Sequence, residues 1–180
     1  MLPERLLAGP VALRRFVASD AERIERLAGE REVAEMTALI PHPYPPGAAL
    51  AWIATHGSAS AAGSEYTYAI TEHDGLVVGS IGLRPLRGER ETIGYWIGRP
   101  YWGRGYATAA AQAVIALAFE LLDLELVTAS HVARNAASGR VMEKCGMRLL
   151  RRERREHRGA PDDFCVRGIT REEWKRGLGG

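Results

Sequence analysis

The feature that most constrains this chain is a short junction. A strand-like run, Thr92-Ile93-Gly94-Tyr95-Trp96-Ile97, leads through Arg99-Pro100-Tyr101-Trp102-Gly103-Arg104-Gly105-Tyr106-Ala107-Thr108 into an alanine-rich, helix-like run, Ala109 to Leu121. A turn of small residues opening a helix offers free N–H groups at the positive end of the helix dipole, and its glycines allow close backbone approach. The junction therefore fits a phosphate or pyrophosphate.

Two better-known phosphate loops do not match. Gly98, Gly103 and Arg104 have P-loop spacing, but Arg104 stands where the lysine belongs and Gly105 where a magnesium-binding Ser or Thr belongs. Gly103-x-Gly105 begins a dinucleotide fingerprint, yet it starts too far from the strand, Thr108 replaces the third glycine, and Glu125 opens the next strand instead of closing it.

The 180 residues suit one domain with a real core, and no apolar run reaches the ~20 residues of a membrane span. Met1 to Pro10 lacks a signal peptide's apolar stretch. A net charge of +2 is too small for a nucleic-acid platform, and glutamates interrupt the basic cluster Arg151 to Arg158. Cys145 and Cys165 have no partner at metal spacing and the five histidines are scattered, so the expectation is two reduced thiols, no metal and a cytoplasmic setting, without nucleic-acid or membrane partners.

Along the chain, Val11 to Phe16 reads as a strand, and Ser19-Asp20 caps a helix carrying Ile24, Leu27 and Ala28. The prolines of Ile40 to Pro46 enforce a loop before a short helix, Ala48 to Thr55. Tyr66 to Thr71, Leu76 to Leu83 and Glu91 to Gly98 form a three-strand meander with turns at His73-Asp74-Gly75 and Arg87-Gly88-Glu89. After the helix come a buried strand, Leu124 to Ser130, a helix, Ala136 to Lys144, capped by Asn135 and stopped by Gly146, and two strands, Met147 to His157 and Phe164 to Ile169.

In order and spacing, these residues resemble the GCN5-related N-acetyltransferases, the GNAT family, and within it the branch that acetylates the amino termini of ribosomal proteins. The likeness is carried by Pro41-His42-Pro43-Tyr44, Ile93-Gly94-Tyr95-Trp96-Ile97, Trp102 to Thr108, Asn135-Ala136-Ala137-Ser138 and Met142 to Met147. It implies an α/β (α+β) fold over residues 11–174, a mixed, mostly antiparallel sheet of six or seven strands with helices on both faces, between short terminal segments, 1–10 and 175–180. The family's loop form, Gln/Arg-x-x-Gly-x-Gly/Ala, falls on Trp102, Gly105 and Ala107, so the first position departs.

The resemblance also implies a donor and its contacts. Backbone groups of Arg104, Gly105, Tyr106, Ala107 and Thr108 would hold the pyrophosphate of acetyl-coenzyme A, with Trp102 and Gly103 beside them in the cofactor site. Tyr95, Trp96 and Ile97 would pair with the pantetheine where their strand splays from the next, with the Ile97 N–H toward the thioester oxygen. Asn135 is read as a cofactor contact as well as a cap. The family's tyrosine general acid is Met142 here, which carries no proton, and Ser138 matches the serine given that task in the amino-terminal branch. The base of that branch aligns with His157, or with Glu156 after a one-residue slip, on opposite faces of a strand; Glu91 is a third candidate.

The chemistry implied is direct acetyl transfer. A peptide α-amine is about 10% neutral at pH 7, whereas a lysine is neutral at under one part in a thousand, so an amino terminus needs less help from a base. The leading expectation is a protein amino terminus as acceptor. The alternatives are a small amine (an aminoglycoside, a polyamine or an amino acid) and a coenzyme A-binding module without turnover. A homodimer stays open.

Overall fold

The computed structural model describes residues 2–85 and 92–178. The Arg87-Gly88-Glu89 turn and Glu91 lie outside the described residues. Among the described residues, eight strands form two antiparallel sheets. The first joins β1 (Arg5–Ala8), β2 (Val11–Arg14), β3 (Tyr66–Thr71), β4 (Val77–Leu83) and β5 (Ile93–Ile97) in chain order. The second holds β6 (Leu126–Val132), β7 (Arg148–His157) and β8 (Ala160–Thr170), with β8 in the middle. The count of eight exceeds the expected six or seven because Arg5–Ala8, read as part of a terminal segment, folds back through Gly9 at φ +56° to pair with Val11–Arg14.

Among the described residues, six helices cover the sheets: α1 (Ala21–Ala28), α2 (Arg31–Ala34), α3 (Ala48–Ala61), α4 (Tyr106–Glu120), α5 (Ala136–Lys144) and α6 (Arg171–Leu178). Successive strand residues point to opposite faces, and Tyr95 and Trp96 show the two layers this creates. Tyr95 packs into the main core with Val114, Ile115 and Ala118 of α4, while Trp96 joins Phe16, Ile24 of α1 and Ala49 of α3. Helices thus lie on both faces. The helix expected over Ala48 to Thr55 runs on to Ala61, since its alanines favour helix and Gly57 has open space around it.

Strand β5 sits close against β4. A Cβ on Gly79 would lie 2.3 Å from the Trp96 carbonyl oxygen and 3.1 Å from the Ile97 Cα, so only glycine lets the two strands meet there. We expect Gly79→Ala to cost about 2–3 kcal/mol in urea unfolding by wedging β4 from β5. An unchanged midpoint would show that the strands yield freely.

Candidate active site

The junction folds as a tight 3-10 turn, Arg99–Tyr101, followed by two glycines in the left-handed region, Gly103 at φ +77° and Gly105 at φ +79°. Gly105 caps α4, which starts at Tyr106, three residues before the expected Ala109, because the left-handed cap redirects the chain straight into helical geometry. The helical ladder begins with Ala109 N–H to Gly105 C=O at 3.0 Å. The N–H groups of Tyr106, Ala107 and Thr108 therefore stand at the helix mouth without an intrahelical acceptor. Side chains fasten the loop from behind. Tyr106 Oη donates to Glu72 Oε1 at 2.7 Å, Arg104 reaches the same oxygen at 3.4 Å and lies over the Tyr101 ring, and Trp102 Nε1 donates to Ile97 C=O at 2.7 Å.

Backbone bonding shows which edge of β5 is open. Gly98 N–H donates to Val78 C=O at 2.8 Å, and an antiparallel ladder alternates between bonded and non-bonded pairs. Trp96 and Gly94 therefore spend their backbone groups on β4, while Tyr95 and Ile97 turn theirs the other way. On that side lies β6. Among the described residues no ladder joins β5 to β6; the link is Thr92 with Thr128, where Thr92 N–H donates to Thr128 Oγ1 at 3.2 Å near the start of both strands. The sheet splits here, leaving the Ile97 N–H on an open edge beside the mouth of α4.

Helix α5 starts across this split. Asn135 caps it, its Oδ1 accepting from Ser138 N–H at 3.1 Å, and Ser138 Oγ lies 2.9 Å from Tyr95 Oη. Met142 is buried in the core and brings no proton. Cys145 packs behind, its Sγ 3.8 Å from Thr108 C=O, and burial pushes its thiol up to about 12, so it stays protonated. A thiolate nucleophile is thereby disfavoured. We expect a Cys145→Ala, Cys165→Ala chain to keep the wild-type rate; a covalent intermediate trapped on either cysteine would contradict this.

The two expected bases are placed differently from each other. Glu156 is exposed on β7. His157 is buried against Phe164, with Nδ1 3.1 Å from Asp162 Oδ2 and Nε2 3.1 Å from Thr37 C=O. Both partners only accept, so a ring nitrogen that bonds either of them does so as the donor. Arg134 pairs with the same Asp162, and Arg158 donates to the carbonyls of Ala34 and Ile40, each at 2.5 Å. His157 thus clamps the segment after α2 onto the β7–β8 hairpin. Arg134 and the Tyr95 hydroxyl went unassigned in the sequence because their partners lie 28 and 43 residues away in the chain.

Among the described residues no group of three or more His, Cys, Asp or Glu is placed to hold a metal ion, and no helix is long and apolar enough to cross a membrane.

Comparison with known proteins agrees with this geometry. The family described as Acetyltransferase (GNAT) domain matches residues 11–148, and the chain belongs to that family of acyltransferases. The chain is 33% identical over 97 residues to the FsC-acetyl coenzyme A-N(2)-transacetylase of Aspergillus fumigatus, covering 52% of this chain and 41% of that protein. It spans between 41% and 58% of the length of the curated relatives it matches. Among solved structures, RimJ of Mycobacterium smegmatis in complex with CoA-disulfide superposes with a TM-score of 0.79 at 24% identity, over 91% of this chain and 83% of that one. The ribosomal-protein-S5-alanine acetyltransferase of Vibrio fischeri gives 0.79 at 16% identity, over 94% and 98%.

Proposed function

We propose that the protein transfers the acetyl group of acetyl-coenzyme A to a primary amine, and that the amine is the amino terminus of a protein. The mouth of α4 takes the pyrophosphate on the N–H groups of Arg104 to Thr108. The open edge of β5 takes the pantetheine as an added strand would be taken, with the Ile97 N–H toward the thioester oxygen, where negative charge grows as the amine attacks. Ser138 lies across the split, toward the departing sulfur.

The charge of the adjoining wall carries the choice of acceptor. Two carboxylates of the β7–β8 hairpin are already ion-paired: Glu153 with Arg151 and Arg155, and Asp162 with Arg134. A polycationic small amine would meet arginines here, whereas a peptide brings one amine and a backbone that bonds to either sign of partner. An α-amine is also neutral often enough near pH 7 to attack without a dedicated base, consistent with the exposure of Glu156 and with the contacts of His157 to Asp162 and Thr37.

The test is a turnover screen with acetyl-coenzyme A, read by thiol release and by product mass, against amino-terminal peptides, amino-terminally blocked lysine peptides, polyamines and aminoglycosides. We expect the highest kcat/KM for an amino-terminal peptide. A polyamine or aminoglycoside turned over faster would overturn the choice of acceptor, and no acetyl transfer to any amine would favour a coenzyme A-binding module.

A further inference from the structure

Tyr95 faces the cofactor edge through its backbone, yet its side chain leaves the strand on the α4 side and ends at the first turn of α5. Its hydroxyl lies 2.9 Å from Ser138 Oγ and 3.3 Å from Ser138 C=O. A phenol has one proton and a carbonyl can only accept, so two arrangements satisfy these contacts: the phenol donates to Ser138 C=O while the serine O–H donates to Tyr95 Oη, or the phenol donates to Ser138 Oγ. In the second, which puts the phenolic proton in the shorter contact at the usual O–H···O length, the serine's own proton is free to turn away from Tyr95.

We propose that Tyr95 is a positioning residue for acetyl transfer: its phenolic O–H donates to Ser138 Oγ and thereby directs the Ser138 O–H at the coenzyme A sulfur. The proposal rests on the acetyl-transfer reading of this site given above. Three features of the surroundings support it. Asn135 holds the Ser138 backbone through its N–H, so the hydroxyl has a fixed base from which to rotate. Met142, one turn further along α5, brings no competing proton to the split. Burial raises the Tyr95 phenol well above the ordinary tyrosine value, which keeps it a neutral donor throughout the working pH range.

The reaction balances without consuming either hydroxyl. The amine nitrogen attacks the thioester carbon, the N–C bond forms, the C–S bond breaks, and its electron pair goes to sulfur. The proton lost by the amine equals the one finally carried by the thiol. Ser138 donates a hydrogen bond to the sulfur as its charge develops, and Tyr95 polarises Ser138 by donating to its oxygen. Passing the phenolic proton onward would leave a buried phenolate, so the chain of hydroxyls acts by orientation and not by net transfer.

The experiment is a double-mutant cycle on the full chain in single-turnover acetyl transfer to an amino-terminal peptide, with coenzyme A affinity measured by calorimetry and folding by thermal melting. Tyr95→Phe removes one oxygen and keeps the ring in the core. We expect it to slow transfer about tenfold while coenzyme A affinity stays within about threefold of wild type. Ser138→Ala is expected to slow transfer at least as much, and the double variant to be no slower than Ser138→Ala, because without the serine hydroxyl there is nothing to direct. Tyr95→Phe reacting at the wild-type rate while Ser138→Ala is slow would overturn the role of Tyr95 and leave the serine's intact, as would losses that multiply in the double variant. Wild-type rates in Ser138→Ala would remove both roles. Wild-type chain that binds coenzyme A and acetylates no amine would remove the underlying reading itself.

Discussion

A Gly105→Glu chain is expected to remain folded and to lose at least about a hundredfold in affinity for coenzyme A. Gly105 sits at φ +79° and caps α4. A residue with a Cβ in that conformation costs about 1–2 kcal/mol, a fraction of the ordinary stability of a domain of this size. The larger effect is electrostatic. The glutamate carboxylate would settle on the N–H groups of Tyr106 to Thr108, at the positive end of the helix, and compete for the position that the pyrophosphate needs. Gly105→Ala separates the two contributions: it carries the strain without the charge and should lose about tenfold or less. Calorimetric titration with coenzyme A, alongside circular dichroism to confirm folding, measures both. A folded Gly105→Glu chain with wild-type affinity would show that the phosphates bind elsewhere.

The second large effect concerns stability. Asp20 is only 7% exposed, and its carboxylate accepts from both ends of the Arg14 guanidinium, at 2.7 and 2.8 Å, and from Val17 N–H at 2.9 Å. The pair ties β2 to the start of α1 and so holds the first helical layer on the sheet. Burial alone would raise the Asp20 carboxyl, but the bonds from Arg14 and Val17 outweigh it, and the net shift is downward. A carboxyl held lower in the folded chain than in the unfolded chain contributes stability at pH above its unfolded value, near 4, and that contribution fades as pH falls through the folded value. Asp20→Asn leaves the arginine charge without its partner and is expected to cost about 2–4 kcal/mol at pH 7, with Arg14's partial exposure keeping the loss moderate. The difference from wild type should shrink as the pH is lowered below about 4, since wild type then loses the same interaction. Denaturant midpoints measured from pH 7 to pH 3 test this, and a difference independent of pH would contradict the ionic account.

Much of this site was legible in the sequence, for reasons that differ residue by residue. The turn that opens α4 was legible because its signal is local: two glycines, a short turn and an alanine-rich helix lie within about twenty consecutive residues. The Asn135 cap and the alternation that separates Glu156 from His157 were legible on the same ground. The starting point of α4 was misplaced by three residues because a left-handed glycine cap, and not the alanine run, sets where the helix begins. β1 was missed since four residues flanked by turn formers carry too short a pattern to stand out, and pairing with Val11–Arg14 alone makes them a strand. The contact of His157 with Thr37, 120 residues away in the chain, has no local signal at all. Nor does the meeting of Tyr95 with Ser138, which depends on α5 crossing the split between the two sheets.

The central claim is that one donor molecule runs from the mouth of α4 along the open edge of β5 to Ser138. A crystal structure of the chain with bound coenzyme A tests it most directly. The account predicts pyrophosphate oxygens at hydrogen-bond distance, about 3 Å, from the N–H groups of Tyr106, Ala107 and Thr108, pantetheine amides bonded to the β5 backbone at Tyr95 and Ile97, and the sulfur facing Ser138 Oγ. Coenzyme A bound with its phosphates away from α4, or with its thiol on the other side of β5 from Ser138, would contradict it.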